Sequence, residues 1–139
     1  TSAPAIGKMA AELVREELGL QEKADFCSTR KGILNPADLT MEERGELIRR
    51  QPAYGNIICR CEMISEGEIL DAIHRPLGAT TMDGVKRRTR AGMGRCQSGF
   101  CSPKTMEILE RELKIRQEKI TKNGAGSEMI LGRNQDGEI

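Results

Sequence analysis

The chain has no tryptophan, one tyrosine and two phenylalanines, so aromatic residues make up only 2% of it. Stacking on nucleic-acid bases needs aromatic platforms, and this sequence does not supply them. A net charge of +1 gives no bulk electrostatic argument for a nucleic-acid partner either. No apolar run reaches the 18 residues that would span a bilayer. The start shows no basic region followed by an apolar stretch, so no secretory signal is expected. There is no P-loop, no G-x-G-x-x-G and no Ser-His-Asp set. Gly92-Met93-Gly94 is a fragment of the dinucleotide pattern only, and it follows an expected helix where that pattern needs a strand. No substrate pocket is legible, so catalysis by this chain alone is left undecided, and the expectation is a non-catalytic domain.

Cysteine is what stands out. Four of the five lie between Cys59 and Cys101, as C-x-C (Cys59, Cys61) and C-x4-C (Cys96, Cys101). Paired cysteines serve disulfides, metal or redox catalysis. Disulfides suit small secreted chains, and an odd cysteine count in a chain without a signal argues for a reducing, cytoplasmic setting. The C-x-x-C of thioredoxin-like sites is absent. Metal remains. C-x-C is tighter than the usual zinc loop, and the single histidine, His74, falls in an expected helix away from both pairs. Iron–sulfur clusters accept more varied spacings, and a 2Fe–2S rhomb asks for two thiolates at each of two irons. The spacing favours such a cluster, with zinc as the alternative.

The flanks suit an anionic centre. Ser65-Glu66-Gly67-Glu68 reads as a capping box, and Ser102-Pro103 as an N-cap followed by proline at the first helical position. Each cysteine pair would then precede a helix N-terminus, whose partial positive charge and unpaired N–H groups favour thiolates. Gly92, Gly94 and Gly99 permit close backbone approach. Arg60, Arg95 and the run Lys86-Arg87-Arg88 with Arg90 supply cations, although any one residue of the run reads most simply as part of a solvated helix face.

Cys59-Arg60-Cys61-Glu62, together with Thr81-Met82-Asp83-Gly84-Val85-Lys86-Arg87-Arg88-Thr89-Arg90-Ala91-Gly92-Met93-Gly94-Arg95-Cys96-Gln97-Ser98-Gly99-Phe100-Cys101, resembles the bacterioferritin-associated-ferredoxin-like (BFD-like) 2Fe–2S domain. In particular it is similar to the version at the C-terminus of bacterial FAD-dependent dehydrogenases of the glycerol-3-phosphate dehydrogenase and 2-hydroxyglutarate oxidase type. The resemblance covers residues ~55–118. It implies that Cys59, Cys61, Cys96 and Cys101 are the cluster ligands. It also implies a compact helical fold of helix-turn-helix units around the four-cysteine site, and single-electron relay between the parent's FAD and an acceptor protein. FAD would belong to the parent's FAD-binding domain and not to this segment. Thr1-Ser2-Ala3-Pro4-Ala5-Ile6-Gly7 resembles the end of such a flavin domain, which would make the chain a piece of a larger flavoenzyme.

The expected architecture is all-α, with an N-terminal helical extension. Residues 1–20 form a helix from about Ala5 to Leu18, with Ile6, Met9, Ala10, Leu13, Val14 and Leu18 on one face and Gly19 as C-cap. This helix is either left over from the FAD-binding domain, leaving a stripe that favours homo-oligomers, or packs on its own domain. Residues 21–54 are a connector with one helix, opened by the capping box Thr40-Met41-Glu42-Glu43. Cys27 reads as a small buried residue and Tyr54 as packing. Residues 55–120 hold the cluster domain. It consists of an extended Asn56-Ile57-Ile58, a helix from Ser65 to His74 with Glu66, Glu68 and Asp71 on its wet face, a helix from Thr81 to about Ala91, and a helix from Pro103 to about Glu118. Residues 121–139 read as a flexible tail or a short hairpin. With 37% apolar residues the core is modest, and a bound cluster would add folding free energy. A competing function is a zinc- or cluster-stapled docking module without electron transfer, with Arg87, Arg88 and Arg90 facing an acidic partner.

Overall fold

A computed structural model of the chain describes residues 1–132. The described residues divide into two compact units, Thr1–Gly32 and a second that begins at Ile33. The first is built on α1 (Ala3–Leu18), with proline in its first turn and Gly19 closing it in the left-handed conformation at φ 61°. The apolar stripe expected from the sequence is present and uncovered: Ile6, Met9, Leu13, Val14 and Leu18 are all exposed. Cys27 and Phe26 are exposed too, so the reading of Cys27 as a small buried residue is corrected. The Cys27 thiol instead bonds the carbonyl of Thr29 locally at 3.1 Å.

The second unit runs α2 (Met41–Arg50), β1 (Ile57–Cys59), β2 (Ile64–Ser65), α3 (Glu66–His74), α4 (Met82–Thr89) and α5 (Ser102–Leu113), with 3-10 turns at Pro36–Asp38, Pro52–Gly55 and Gln117–Lys119. The capping boxes of α2 and α3 form as the sequence predicts, Thr40 with Glu43 and Ser65 with Glu68. The all-α expectation needs one correction. The segment Asn56-Ile57-Ile58 continues into a two-stranded antiparallel sheet pairing Ile57 with Ser65 and Cys59 with Ile64. C-x-C followed by Glu62-Met63 makes a hairpin turn, with Met63 at φ 55°. The long last helix is also shortened. Lys114 turns left-handed at φ 55° and stops α5 well before Glu118.

The core is small and built from all the second unit's later elements. Ile69 of α3, Val85 of α4, Leu109 of α5 and Ile120 beyond α5 are its fully buried centre. The residues after Ile120 are tied into it. Thr121 and Lys122 offer their carbonyls to the N–H groups of Met82 and Asp83 at the start of α4, and Thr121 bridges to Glu128. The remainder of the 121–139 span lies outside the described residues, which stop at 132. Glu68, assigned to a wet face by its spacing, is buried, because its carboxylate accepts from the Ser65 N–H at 2.8 Å and hydroxyl at 2.7 Å. Tyr54 packs as expected. Its ring lies against Gly67, where an added methyl would come within 2.7 Å of Cε2. Among the described residues, no helix is long and apolar enough to cross a membrane.

A polar clamp joins the helices. Arg111 of α5 bonds Glu66 of α3 at 2.6 Å, Asn56 bonds the same carboxylate at 2.8 Å, and His74 bonds Glu112 at 2.7 Å. Arg111 first and Asn56 second hold the Glu66 carboxyl below its ordinary 4.5. A depressed carboxyl contributes stability above its unfolded pKa and loses it as pH falls through the folded value.

Gly67→Ala should lower stability by ~1–2 kcal/mol in urea denaturation, because overpacking against Tyr54 outweighs the helix-propensity gain of an alanine. Arg111→Ala should cost only ~0.5 kcal/mol at neutral pH, since its guanidinium is half exposed, and the cost should fade as pH falls below the ordinary 4.5 and Glu66 protonates. The same denaturation series repeated across pH reads both values.

Candidate metal centre

Two chain segments build the site. The first is the β-hairpin, with Cys59 closing β1 and Cys61 in the turn. The second is the loop from Arg90 to Cys101, which carries an unusual density of left-handed backbone: Arg90 at φ 70°, Gly92 at 85°, Gln97 at 48° and Ser98 at 71°. Such a path folds N–H groups toward a common point instead of alternating them. Gln97 braces it, its side-chain amide donating to the carbonyls of Gly94 at 3.0 Å and Met93 at 3.3 Å. The two segments touch closely. A Cβ on Gly94 would overlap the Cβ of Cys61, so only glycine lets the loop lie on the hairpin there.

This contact places all four thiols around one cavity of about 440 Å³, also lined by Ile57, Ile58, Arg60, Phe100 and Lys104. None of the four is in a disulfide. They differ in environment. Cys59 and Cys101 are buried, at 1% and 3% exposure, while Cys61 is exposed and Cys96 partly so. The hydrogen-bonding partners are crossed between segments: Cys61 interacts with Cys96, and Cys59 with Cys101. The sequence spacing suggested that C-x-C and C-x4-C would each act as a pair; here each pair takes one thiol from each segment, because hairpin turn and loop face one another.

The electrostatics follow from that layout. Cys61 beside it, and then the backbone N–H groups of Phe100, Ser98 and Gly99, pull the Cys96 thiol below its ordinary value. Burial, and then the nearby Cys59 and Cys96 sulfurs, push Cys101 up to about 11, with a Ser98 hydrogen bond acting the other way. The Gly92 N–H donates to Cys59 Sγ at 3.5 Å. Four thiolates in one place therefore repel and resist desolvation until a cation compensates them. Among the described residues, no three Cys, His, Asp or Glu side chains stand together as ligands of one ion. A 2Fe–2S rhomb asks for a different arrangement, two thiolates at each of two irons, and two thiol pairs bordering one cavity match it. The N–H donors and the cations Arg60 and Lys104 suit its negative charge.

Other residues singled out by the sequence lie elsewhere. His74 pairs with Glu112. The basic run is largely occupied within the fold: Arg87 pairs with Asp83, Arg88 donates to the carbonyls of Leu77 at 2.6 Å and Gly84 at 3.0 Å, and Arg90 bonds Glu62 at 2.8 Å. The last contact straps the loop to the hairpin one residue past Cys61. The sequence placed the last N-cap at Ser102, but Cys101 is itself the N-cap of α5, with Ser102 its first residue. The first pair does not directly precede α3, since Glu62, Met63 and β2 intervene. Gln97, Ser98 and Lys104 were not flagged by the sequence; the only signal for Gln97 and Ser98 was their place inside C-x4-C.

In metal-free protein at neutral pH, brief iodoacetamide treatment should label Cys96 well ahead of Cys101, because the thiolate is the nucleophile. Peptide mass spectrometry reads the order, and Cys101 labelling should rise only as pH approaches 11.

The model of the BFD-like 2Fe–2S binding domain family matches residues 57–111. A glycerol 3-phosphate dehydrogenase of Caloramator mitchellensis is 46% identical over 133 residues, covering 95% of this chain and 28% of that protein. A chain of the anaerobic glycerol-3-phosphate dehydrogenase of Escherichia coli K12 is 33% identical over 104 residues, 67% of this chain and 18% of that one. An NAD(P)H nitrite reductase of Bacillus subtilis is 34% identical over 95 residues, 68% of this chain and 11% of that one. The chain thus spans well under a third of each of these relatives. No solved structure matches it. The match spans both cysteine segments and the two helices between them, and by it residues 57–111 of this chain belong to the BFD-like 2Fe–2S binding domain family.

Proposed function

We propose that Cys59, Cys61, Cys96 and Cys101 hold a 2Fe–2S cluster, and that the domain relays single electrons between the flavin of a larger glycerol-3-phosphate dehydrogenase-type enzyme and an acceptor. The observation that carries the reading is the meeting of four thiols, in two crossed pairs, at one cavity. When bound, the cluster supplies reversible one-electron chemistry. The chain supplies the rest. Cys59 and Cys101 anchor the buried side, and the exposed Cys61 and Cys96 form the edge nearest solvent, where electrons cross to a partner. The N–H groups of Ser98, Gly99 and Phe100 favour the charged form of Cys96. Arg60 and Lys104 at the cavity offset added negative charge and favour the reduced state.

The parent reading rests on the two dehydrogenase relatives, which continue far beyond the matched segment. In it, α1 is the end of the FAD-binding domain, and its uncovered stripe of Ile6, Met9, Leu13, Val14 and Leu18 packs on the remainder of the larger protein, in the cytoplasm. FAD sits in that domain and not in this segment.

The test is visible absorption with iron and acid-labile sulfide analysis on anaerobically prepared protein, followed by EPR after dithionite. The expected result is visible charge-transfer bands, two irons per chain and a signal from one unpaired electron on reduction. Cys61→Ser should abolish the native spectrum, and a variant with full colour and iron would sink the ligand assignment. Colourless protein carrying one zinc per chain would replace electron transfer with a structural staple.

A further inference from the structure

The open side of the thiol cavity carries charge of one sign. Arg60, between the two hairpin cysteines, and Lys104, in the first turn of α5, line the cavity, and its lining holds no carboxylate among the described residues. Arg95, one residue before Cys96, is exposed as well. Arg87, Arg90 and Arg111 are each paired with a carboxylate of the fold, whereas Arg60, Arg95 and Lys104 have no ion-pair partner among the described residues. Of the acids nearby, Glu62 is taken by Arg90, and Glu107, one turn along α5 from Lys104, lines a neighbouring cavity and not this one.

Phe100 stands among these charges. It is 86% exposed, lines the same cavity and lies in the chain between Cys96 and Cys101. A large aromatic ring gains by burial, and here it is left in water beside the two more accessible sulfurs, Cys61 and Cys96. An apolar centre inside a charged, solvated rim is the anatomy of a protein interface. The sign of the rim selects the occupant. A second copy meeting this face symmetrically would set Arg60, Arg95 and Lys104 against themselves. Three cations fall short of the about four to eight of a membrane-binding basic cluster. A permanent neighbour would have to strip water from three unpaired cations, whereas a transient one leaves them at a wet rim and is steered by them.

Resting on the electron relay proposed above, we propose that the face around Phe100, Arg60, Arg95 and Lys104 is the docking site of a separate, acidic redox protein. Carboxylates of the partner meet the three cations, and an apolar residue covers Phe100. One electron passes between the centre held at Cys61 and Cys96 and the one-electron centre of the partner, and no bond is made or broken.

The test uses two oxidised one-electron proteins of opposite charge, acidic plastocyanin and basic cytochrome c. Each is mixed by stopped flow with the cluster-loaded chain, reduced with dithionite and desalted anaerobically. The plastocyanin rate should fall about tenfold between ~0.02 and ~0.5 M salt, as screening removes the steering, and the cytochrome c rate should not fall. Arg60→Gln and Lys104→Gln should each slow plastocyanin about threefold at low salt without slowing cytochrome c. A change in driving force would move both rates together, so the split between the two acceptors isolates docking. Phe100→Ala with two irons retained should slow plastocyanin at every salt concentration, and Lys119→Gln, outside the cavity, should change neither rate. A salt-independent plastocyanin rate, or equal losses with both acceptors in Lys104→Gln, overturns the proposal. A dimer in sedimentation that Phe100→Ala dissolves assigns the face to a second copy and overturns it too. So does protection of Lys104 from brief acetylation in the full-length protein but not in this segment, which would give the face to the parent. If the unaltered chain shows no 2Fe–2S signal, the relay reading falls and this one with it; a normal centre without the salt dependence removes only the docking face.

Discussion

Everything in the second unit depends on laying one backbone against another: the loop before Cys96 on the hairpin turn at Cys61. The contact is possible only because Gly94 has no side chain. It brings together thiols from segments separated by the 34 residues 62–95, the whole of α3 and α4. The helices are held by a core small enough to be centred on Ile69, Val85, Leu109 and Ile120, and a core of that size leaves little margin for gathering four sulfurs. The polar ties explain how the arrangement is kept. Arg90 to Glu62 straps the loop to the hairpin, Arg111 to Glu66 straps α5 to α3, and the carbonyls of Thr121 and Lys122 hold the start of α4.

Charge is graded across the cavity. On the buried side Cys101 resists ionisation, and on the open side Cys96 is prepared for it by converging N–H groups. That asymmetry comes from burial and the neighbouring Cys59 and Cys96 sulfurs at Cys101, and from Cys61 and the backbone N–H groups of Phe100, Ser98 and Gly99 at Cys96. In the proposed role the same gradient gives the centre one sheltered side, which favours a defined potential, and one side open to a partner. The cations that a sequence scan would assign to a partner are mostly committed inside the fold, Arg88 to backbone carbonyls and Arg90 to Glu62, which leaves Arg60 and Lys104 as the charges that line the cavity itself.

Much of this was legible in the residues. Both capping boxes, the glycine at the end of α1, the packing role of Tyr54 and the four thiols of the site follow from local chemistry: a serine or threonine three residues before a glutamate satisfies the same N–H groups wherever it occurs, and C-x-C with C-x4-C admits few uses. Short-range patterns of this kind need no knowledge of the rest of the chain.

What only the tertiary structure decided is long-range. Which sulfur stands beside which depends on how hairpin and loop face each other, and spacing suggested the opposite pairing. The burial of Glu68, the early stop of α5 at Lys114 and the small sheet that replaces an all-helical expectation each depend on neighbours distant in sequence or on a backbone turn that periodicity does not encode. The sequence alone determined the chemistry available, since that resides in residue types and near spacing. The fold determined how that chemistry is distributed in space, because distances between remote segments are set by packing.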